Sequence, residues 1–329
     1  MIRNWYLAFR GFYPVENPPQ DFLSRFLFSA RSIILVISAQ AGTIAGLLAL
    51  LDGRFDAVRF LLVVFALVSL HAVSNLSNDF FDYRRGRDTV ESPRRRYTLH
   101  PIADGVLNNR QILLSLGVLV TVNVSIAALL TVLDGPWILV LAAVGMALLV
   151  LYDATPVSLK EIGLGEIASF LVWGPLMVAG GYFAITGRFA GSALIAGIPY
   201  GMGVMTVLLG KHIDQAEFDG THGIRTLPVL LGEAAARWLE IGLLLGMYAI
   251  VIGAVYTGVL PWPALLILFN AGRAGEAIKV LAHKRPRAAP AGYVGWPLWY
   301  HRYSLRHNRS FGWLYIAGLL CMAVYRTLT

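Results

Sequence analysis

The 329-residue chain is 57% hydrophobic and 14% charged, with a mean hydropathy of +0.64 and a formal net charge of +8. An average soluble domain carries about 25% charged residues, so this composition excludes an ordinary water-facing surface and describes an integral membrane protein. A single cysteine, Cys321, excludes an intrachain disulfide and any cysteine-based metal site.

The opening, MIRNWYLAFRGFYPVENPPQDF, is polar and aromatic and lacks the apolar run and small-residue cleavage site of a secretory signal. The N-terminal segment 1–29 is therefore expected to be retained. A bilayer span needs about 20 mostly apolar residues. Nine stretches come close, at 30–51, 57–78, 110–133, 137–153, 166–187, 191–210, 236–258, 261–281 and 311–327, the fourth and ninth being short. Tight turns (LDGRFD, LDGP, TGRFAG, TGVLPWP) alternate with long polar loops after spans two, six and eight and an intermediate link after span four. All long connections thus fall on one side of a single all-α membrane domain, 1–329, with polar segments 79–109 and 211–235 read as loops on that side.

Charge identifies the side. Of 27 Lys and Arg residues, 22 lie on the face of the N-terminus and long loops, four lie opposite (Arg54, Arg59, Arg188, Arg326), and Arg273 falls inside span eight. The positive-inside rule places the N-terminus and long loops in the cytoplasm and the C-terminus outside the cell membrane. Topology and attraction to anionic membrane lipids account for the basic balance, with no call for nucleic acid. The tail GWPLWYHRYSLRHNRSFGWLY interleaves aromatics and bases as an interfacial belt does.

Two acidic clusters stand at the cytoplasmic ends of spans two and six. In NLSNDFFDYRRGRD, Asp79 and Asp82 are spaced i, i+3 and share a helix face with or near Asn75 and Asn78; in HIDQAEFD, Asp214 and Glu217 repeat the spacing, with Asp219 just beyond. Acids at a membrane boundary are costly and usually functional. Oxygen-rich clusters suit a hard cation, and Mg²⁺ characteristically joins a few carboxylates to substrate phosphate oxygens. That points to a diphosphate, with Arg84, Arg85, Arg87, Lys160, Lys211 and Arg225 as candidate cations for its remaining charge. A prenyl diphosphate, with a long apolar tail, explains why the site is built inside a membrane. The expected chemistry is ionisation of its C–O bond.

These residues resemble the UbiA superfamily of intramembrane prenyltransferases, in order and spacing, from Arg31 to Gly232. The resemblance implies nine helices around a central cavity and two Asp-rich motifs for Mg²⁺ and a polyprenyl diphosphate. NLSNDFFDYRRGRD is similar to the N-D-x-x-D…G-x-D form of the branch acting on 1,4-dihydroxy-2-naphthoate, which implies Asn75, Asn78, Asp79, Asp82 and Asp88 as the first metal and diphosphate motif. YDATPVSLKEIGLGE resembles the Tyr…Lys…G-L-G-Asp/Glu segment of the family, which implies that Tyr152 and Lys160 serve the diphosphate and reacting carbon, beside Glu166. GIRTLPVLLG, 223–232, is similar to the segment after the second Asp motif.

The chain also departs from that pattern. Where the branch has N-N-x-R-D-x-x-x-D, this sequence has Lys211, His212, Ile213, Asp214, Gln215, Ala216, Glu217, Phe218 and Asp219. Asp219 keeps its place, Gln215 replaces the first aspartate, and Asp214 or Glu217 is the expected substitute metal ligand. The family's R-P-L-x-x-G is altered to His100, Pro101, Ile102 and Gly105, and Arg-Pro at the first span to Arg31-Ser32. His212 reads either as a general base or as a packed residue, since its reference pKa near 6.5 suits proton removal. His71, on an apolar helix, reads as a satisfied core residue. The resulting expectation is prenyl transfer to an aromatic, lipid or other nucleophilic acceptor, as in quinone biosynthesis. Competing readings are a membrane terpene cyclase of the same superfamily and a secondary transporter. No inverted repeat is evident, and the acids gather at one face and not at the midplane, which disfavours transport.

Overall fold

The structure is a computed structural model describing residues 2–9, 21–87 and 91–328. Two short helices, α1 (Ile2–Phe9) and α2 (Phe22–Ser29), precede the bundle, so the N-terminal segment is partly helical. The bundle consists of α3 (Ser32–Leu51), α4 (Ala57–Arg84), α5 (Asn109–Asp134), α6 (Trp137–Asp153), α7 (Gly165–Leu171), α8 (Gly181–Thr186), α9 (Gly191–Thr221), α10 (Leu227–Leu231), α11 (Glu233–Tyr256), α12 (Ala271–Leu281) and α13 (Tyr300–Leu328). No strand occurs among the described residues.

Among the described residues, seven helices are long and apolar enough to cross a membrane, α7 and α8 forming one of them through a continuous π-helical segment, Val172–Gly180. The 17-residue α6 is shorter, and the stretch expected as the eighth span is a 3₁₀ segment, Trp262–Asn270, running into the 11-residue α12. Of the nine spans expected, with the fourth and ninth short, the described residues show seven long helices; the fourth is short as expected, the ninth lies on the 29-residue α13, and the eighth is the second short passage. The expected polar loops are also partly helical. Helix α4 continues through Asp79 and Asp82 to Arg84, just before Gly86 at φ 69°, and α9 continues through Lys211 and Asp219 to Thr221, because no proline or glycine interrupts 75–85 or 211–219.

Local chemistry fixes the helix ends. Asp56 accepts from the Arg59 amide at 2.9 Å to start α4, and Asn108 with Gln111 forms a reciprocal capping box at α5. A close crossing is set by the small residues of GIPYG: a Cβ on Gly201 would lie 2.7 Å from the Phe170 carbonyl oxygen, and one on Gly197 2.8 Å from that of Gly174. Small residues four apart let α9 press directly against the π segment, as helices in lipid require when no hydrophobic force distinguishes partner from solvent. Tyr200, between them, donates its hydroxyl to the Ile37 carbonyl at 2.7 Å and ties α9 to α3.

Candidate active site

The C-terminal ends of α4, α6 and α9 and the starts of α3, α7 and α13 meet at one end of the bundle and enclose the charged mouth of a cavity of about 1560 Å³. On α4, His71, Asn75, Asn78 and Asp82 lie three or four residues apart, so one helix face carries all four into the lining. Deeper, Val63, Leu67, Leu141, Leu149, Leu176 and Met177 make the walls apolar. The cavity therefore joins a charged end to a long apolar body.

The charged end is a set of paired ions. Asp79 is fully buried and does not itself line the cavity; Arg31 Nη2 reaches its Oδ1 at 2.5 Å and Arg94 grips both oxygens, with Nη2 to Oδ2 at 3.0 Å. Arg31 and Arg94 do line the cavity. Arg31 occupies the break between α2 and α3 with φ of 54°, a left-handed conformation that costs a non-glycine residue about 1–2 kcal/mol, and the pairing with Asp79 offsets it. Arg94 sits on a 3₁₀ turn, Pro93–Arg96. That turn is braced by Arg95 on Asp104, whose Oδ2 also accepts from the His100 amide at 2.6 Å. His100 Nδ1 in turn accepts from the amides of Ile102 and Ala103, both at 3.1 Å, so TLHPIADG folds into a bracket for Arg94.

Lys160 Nζ bonds both oxygens of Asp82, at 2.8 and 2.7 Å, from the turn after α6. The Asn78 amide oxygen accepts from the same ammonium at 2.7 Å and its nitrogen donates to Asp82 at 3.3 Å. Arg87 lies 3.6 Å from Asp82 and 2.5 Å from Glu161. Across the cavity, α9 contributes Lys211, His212, Gln215 and Asp219. His212 Nδ1 is 2.7 Å from Glu166 Oε1, both side chains being buried, so the carboxylate fixes the ring and directs Nε2 away from α7. Tyr152 closes this end from α6.

A model of the UbiA prenyltransferase family matches residues 40–297. The chain belongs to this family. As a UbiA family member it is a prenyltransferase. It is 28% identical over 239 residues to UbiA prenyltransferase domain-containing protein 1 of Dictyostelium discoideum, covering 71% of this chain and 72% of the relative. It is 26% identical over 271 residues to 1,4-dihydroxy-2-naphthoate octaprenyltransferase of Bacillus subtilis, covering 80% and 84%. Among solved structures, the UbiA homolog of Aeropyrum pernix K1 superposes with a TM-score of 0.66 at 19% identity over 87% of this chain and 96% of that one. A UbiA homolog of Archaeoglobus fulgidus bound to GPP and Mg²⁺ gives 0.63 at 14% identity over 91% and 99%. These likenesses establish the fold.

Several expected site residues of this UbiA protein stand elsewhere. Asp214 points out of the cavity, accepting from the backbone amides of Tyr300 at 3.1 Å and His301 at 3.0 Å; it caps the start of α13, and Arg285 lies 3.7 Å away. Glu217 is exposed and outside the lining. Neither is placed to replace the missing aspartate, because one step along a helix is a 100° rotation and it is Gln215 that faces inward. Arg84 stacks on Phe80, Arg85 bonds the Asp153 and Thr155 carbonyls at 2.7 Å each, and Arg225 is exposed; none lines the cavity. Asp88 lies outside the described residues. Asn75 lines the cavity but spends its amide on the Ala30 carbonyl at 2.9 Å, holding the α2–α3 break that presents Arg31. Sequence reasoning missed Arg31 and Arg94, which were indistinguishable from the topological arginines around them. The altered Arg-Pro and R-P-L-x-x-G elements were the available signal.

Proposed function

We propose that this enzyme transfers the prenyl group of a polyprenyl diphosphate to an aromatic acceptor of the 1,4-dihydroxy-2-naphthoate kind, with Mg²⁺. The observation that carries this reading is the single cavity that runs from a cation- and carboxylate-lined mouth into an apolar body. A prenyl diphosphate, an anionic head on a hydrocarbon chain, has these two requirements. The names of the Bacillus relative and the ligands of the Archaeoglobus homolog support the same assignment.

The donor set fits Mg²⁺ as a bridge. Among the described residues no three His, Cys, Asp or Glu side chains converge, and Mg²⁺ ordinarily takes one or two carboxylates, completing its octahedron with phosphate and water. Asp82 from α4, and Asp219 with the Gln215 amide oxygen from α9, would hold it, while Asp79, expected as a ligand, is committed to Arg31 and Arg94 behind the lining. When bound, the ion supplies charge stabilisation to the departing diphosphate.

The chain's own part follows from its geometry. Lys160, Lys211, Arg31, Arg87 and Arg94 surround the place where negative charge grows as the C–O bond breaks, and such preorganised charges act strongly where water is excluded. The apolar walls hold the prenyl chain and shield the allylic cation from water. The acceptor carbon attacks that cation, and His212, its Nδ1–H donated to Glu166, takes the proton released at Nε2. The long-loop face, and with it the cavity mouth, is cytoplasmic in this reading.

The test is incubation of membranes containing the protein with labelled geranylgeranyl or longer diphosphates, Mg²⁺ and a panel of acceptors including 1,4-dihydroxy-2-naphthoate, with identification of the lipid products. A prenylated acceptor is expected. Diphosphate release with only a cyclised hydrocarbon would instead make the protein a terpene cyclase, and transport without diphosphate release would remove the transferase assignment.

A further inference from the structure

The apolar wall of the cavity holds one polar constellation that the proposed reaction does not use. His71 lies on α4, one turn inward from Asn75 and about 16 Å along the axis from Asp82 at 1.5 Å per residue. Its Nδ1 is 2.9 Å from Ser38 Oγ on α3, and Trp173 Nε1, on the π segment, donates to that same oxygen at 3.0 Å. Ser38 is fully buried, and the Trp173 and His71 rings meet edge to face with centroids 5.0 Å apart. Far from being a core residue satisfied all round, His71 is held by one nitrogen and lines the cavity.

The chain of donors fixes the tautomer. An indole nitrogen can only donate, so Ser38 Oγ accepts from Trp173 and has one proton of its own to give. Among the described residues His71 Nδ1 is the acceptor within its reach, and receiving it makes Nδ1 the unprotonated nitrogen of a neutral imidazole. The proton of His71 therefore sits on Nε2, at the far edge of the ring from Ser38, and Nε2 has no protein partner among the described residues. Nε2–H faces the cavity, where a ligand oxygen can accept its proton in place of water. The prenyl chain offers no oxygen, and the diphosphate is held at the charged end, so of the two substrates it is the acceptor that can supply this partner.

Resting on the acceptor class proposed above, we infer that His71 Nε2–H is a hydrogen-bond donor to an oxygen of the aromatic acceptor, and that Ser38 and Trp173 are positioning residues that set its tautomer and aim. The π-helical geometry of Val172–Gly180 contributes by bringing Trp173 to Ser38, since such segments shift the side-chain phase of a helix and recur at functional sites. The site thus selects acceptors carrying an oxygen on the ring position directed at α4, over hydrocarbons and over analogues lacking that oxygen.

The experiment is two-substrate kinetics on the full-length protein in lipid nanodiscs, with geranylgeranyl diphosphate as donor and either 1,4-dihydroxy-2-naphthoate or its two mono-hydroxy analogues as acceptor. Ser38→Ala, Trp173→Phe and His71→Phe should each raise the acceptor KM about tenfold with the donor KM unchanged, and Ser38→Thr, which keeps the hydroxyl, should stay near wild type. Wild type should discriminate against one mono-hydroxy analogue by about tenfold, and His71→Phe should lose that discrimination, an outcome that loss of folding or packing does not produce. Unchanged acceptor KM in Ser38→Ala, or retained discrimination in His71→Phe, would overturn the inference while leaving the transferase assignment standing. Wild-type protein that prenylates none of these acceptors would overturn both.

Discussion

Asp214 and Gln215 are adjacent, yet the structure assigns them opposite consequences. Asp214→Ala removes the acceptor for the Tyr300 and His301 amides, at 3.1 and 3.0 Å, in a site where the carboxylate is buried. Loss of a capping acceptor costs about 0.5–2 kcal/mol and a hydrogen bond to a charged group about 1.5–3 kcal/mol, so two orphaned amides put the loss at about 2–4 kcal/mol. Helix α13 packs on α3 and α9, so its loosened start should lower the melting temperature by several degrees while turnover per folded molecule stays within about twofold. Gln215→Ala, on the cavity side, should leave the melting temperature within experimental scatter and reduce turnover at least tenfold at limiting Mg²⁺. Gln215→Asp, which restores the carboxylate usual in the family, should lower the Mg²⁺ concentration needed for half-maximal rate. The assay is thermal unfolding in detergent, followed by tryptophan fluorescence, beside diphosphate release across a Mg²⁺ series. An Asp214→Ala protein that is fully stable but inactive, paired with a silent Gln215→Ala, would refute the register.

Other outcomes follow from the same geometry. Lys160→Met strips Asp82 of its bidentate partner and should raise the KM for prenyl diphosphate more than tenfold, with acceptor KM unchanged; equal changes in both would count against a diphosphate role. Chelation of Mg²⁺ should abolish diphosphate release and re-addition restore it, and Asp82→Asn should need more metal for the same rate; turnover insensitive to chelators would remove the metal from the reaction. Glu166→Gln should reduce turnover with less effect on either KM, since it loosens the ring that takes the proton without touching the diphosphate, and an unaltered rate would rule out the His212–Glu166 base. Gly201→Leu should fail to yield folded protein, because even a Cβ meets backbone at 2.7 Å, and a normal melting temperature would contradict the α9 crossing. In a Cys321→Ser background, a membrane-impermeant thiol reagent applied to intact cells should modify a cysteine at Thr257 and spare one at Glu217; the reverse pattern would invert the topology.

Hydropathy and motif spacing were enough to establish an all-helical membrane protein, the order of its apolar segments and the two polar motifs that meet in the cavity. These are properties of the chain in one dimension, since a span is a run of apolar residues and an i, i+3 pair shares a face on any helix. Sequence did not reveal where helices end or which way each side chain turns within a motif. Asp79 and Asp82 were found together, but only the packed bundle separates a buried aspartate held between Arg31 and Arg94 from one held by Lys160 at the lining. Likewise HIDQAEFD offers Asp214 and Glu217 as equal substitutes for the aspartate that Gln215 replaces. Tertiary structure decides that Asp214 caps α13, Glu217 faces outward, and Gln215 and Asp219 face the cavity. The physical reason is that a carboxylate takes its role from the donors brought to it, and here those donors come from 48 positions away at Arg31 and 86 away at Tyr300. His71 makes the same point: its apolar neighbours in sequence marked it as core, and the serine and tryptophan that orient it arrive only when α3, α4 and the π segment converge.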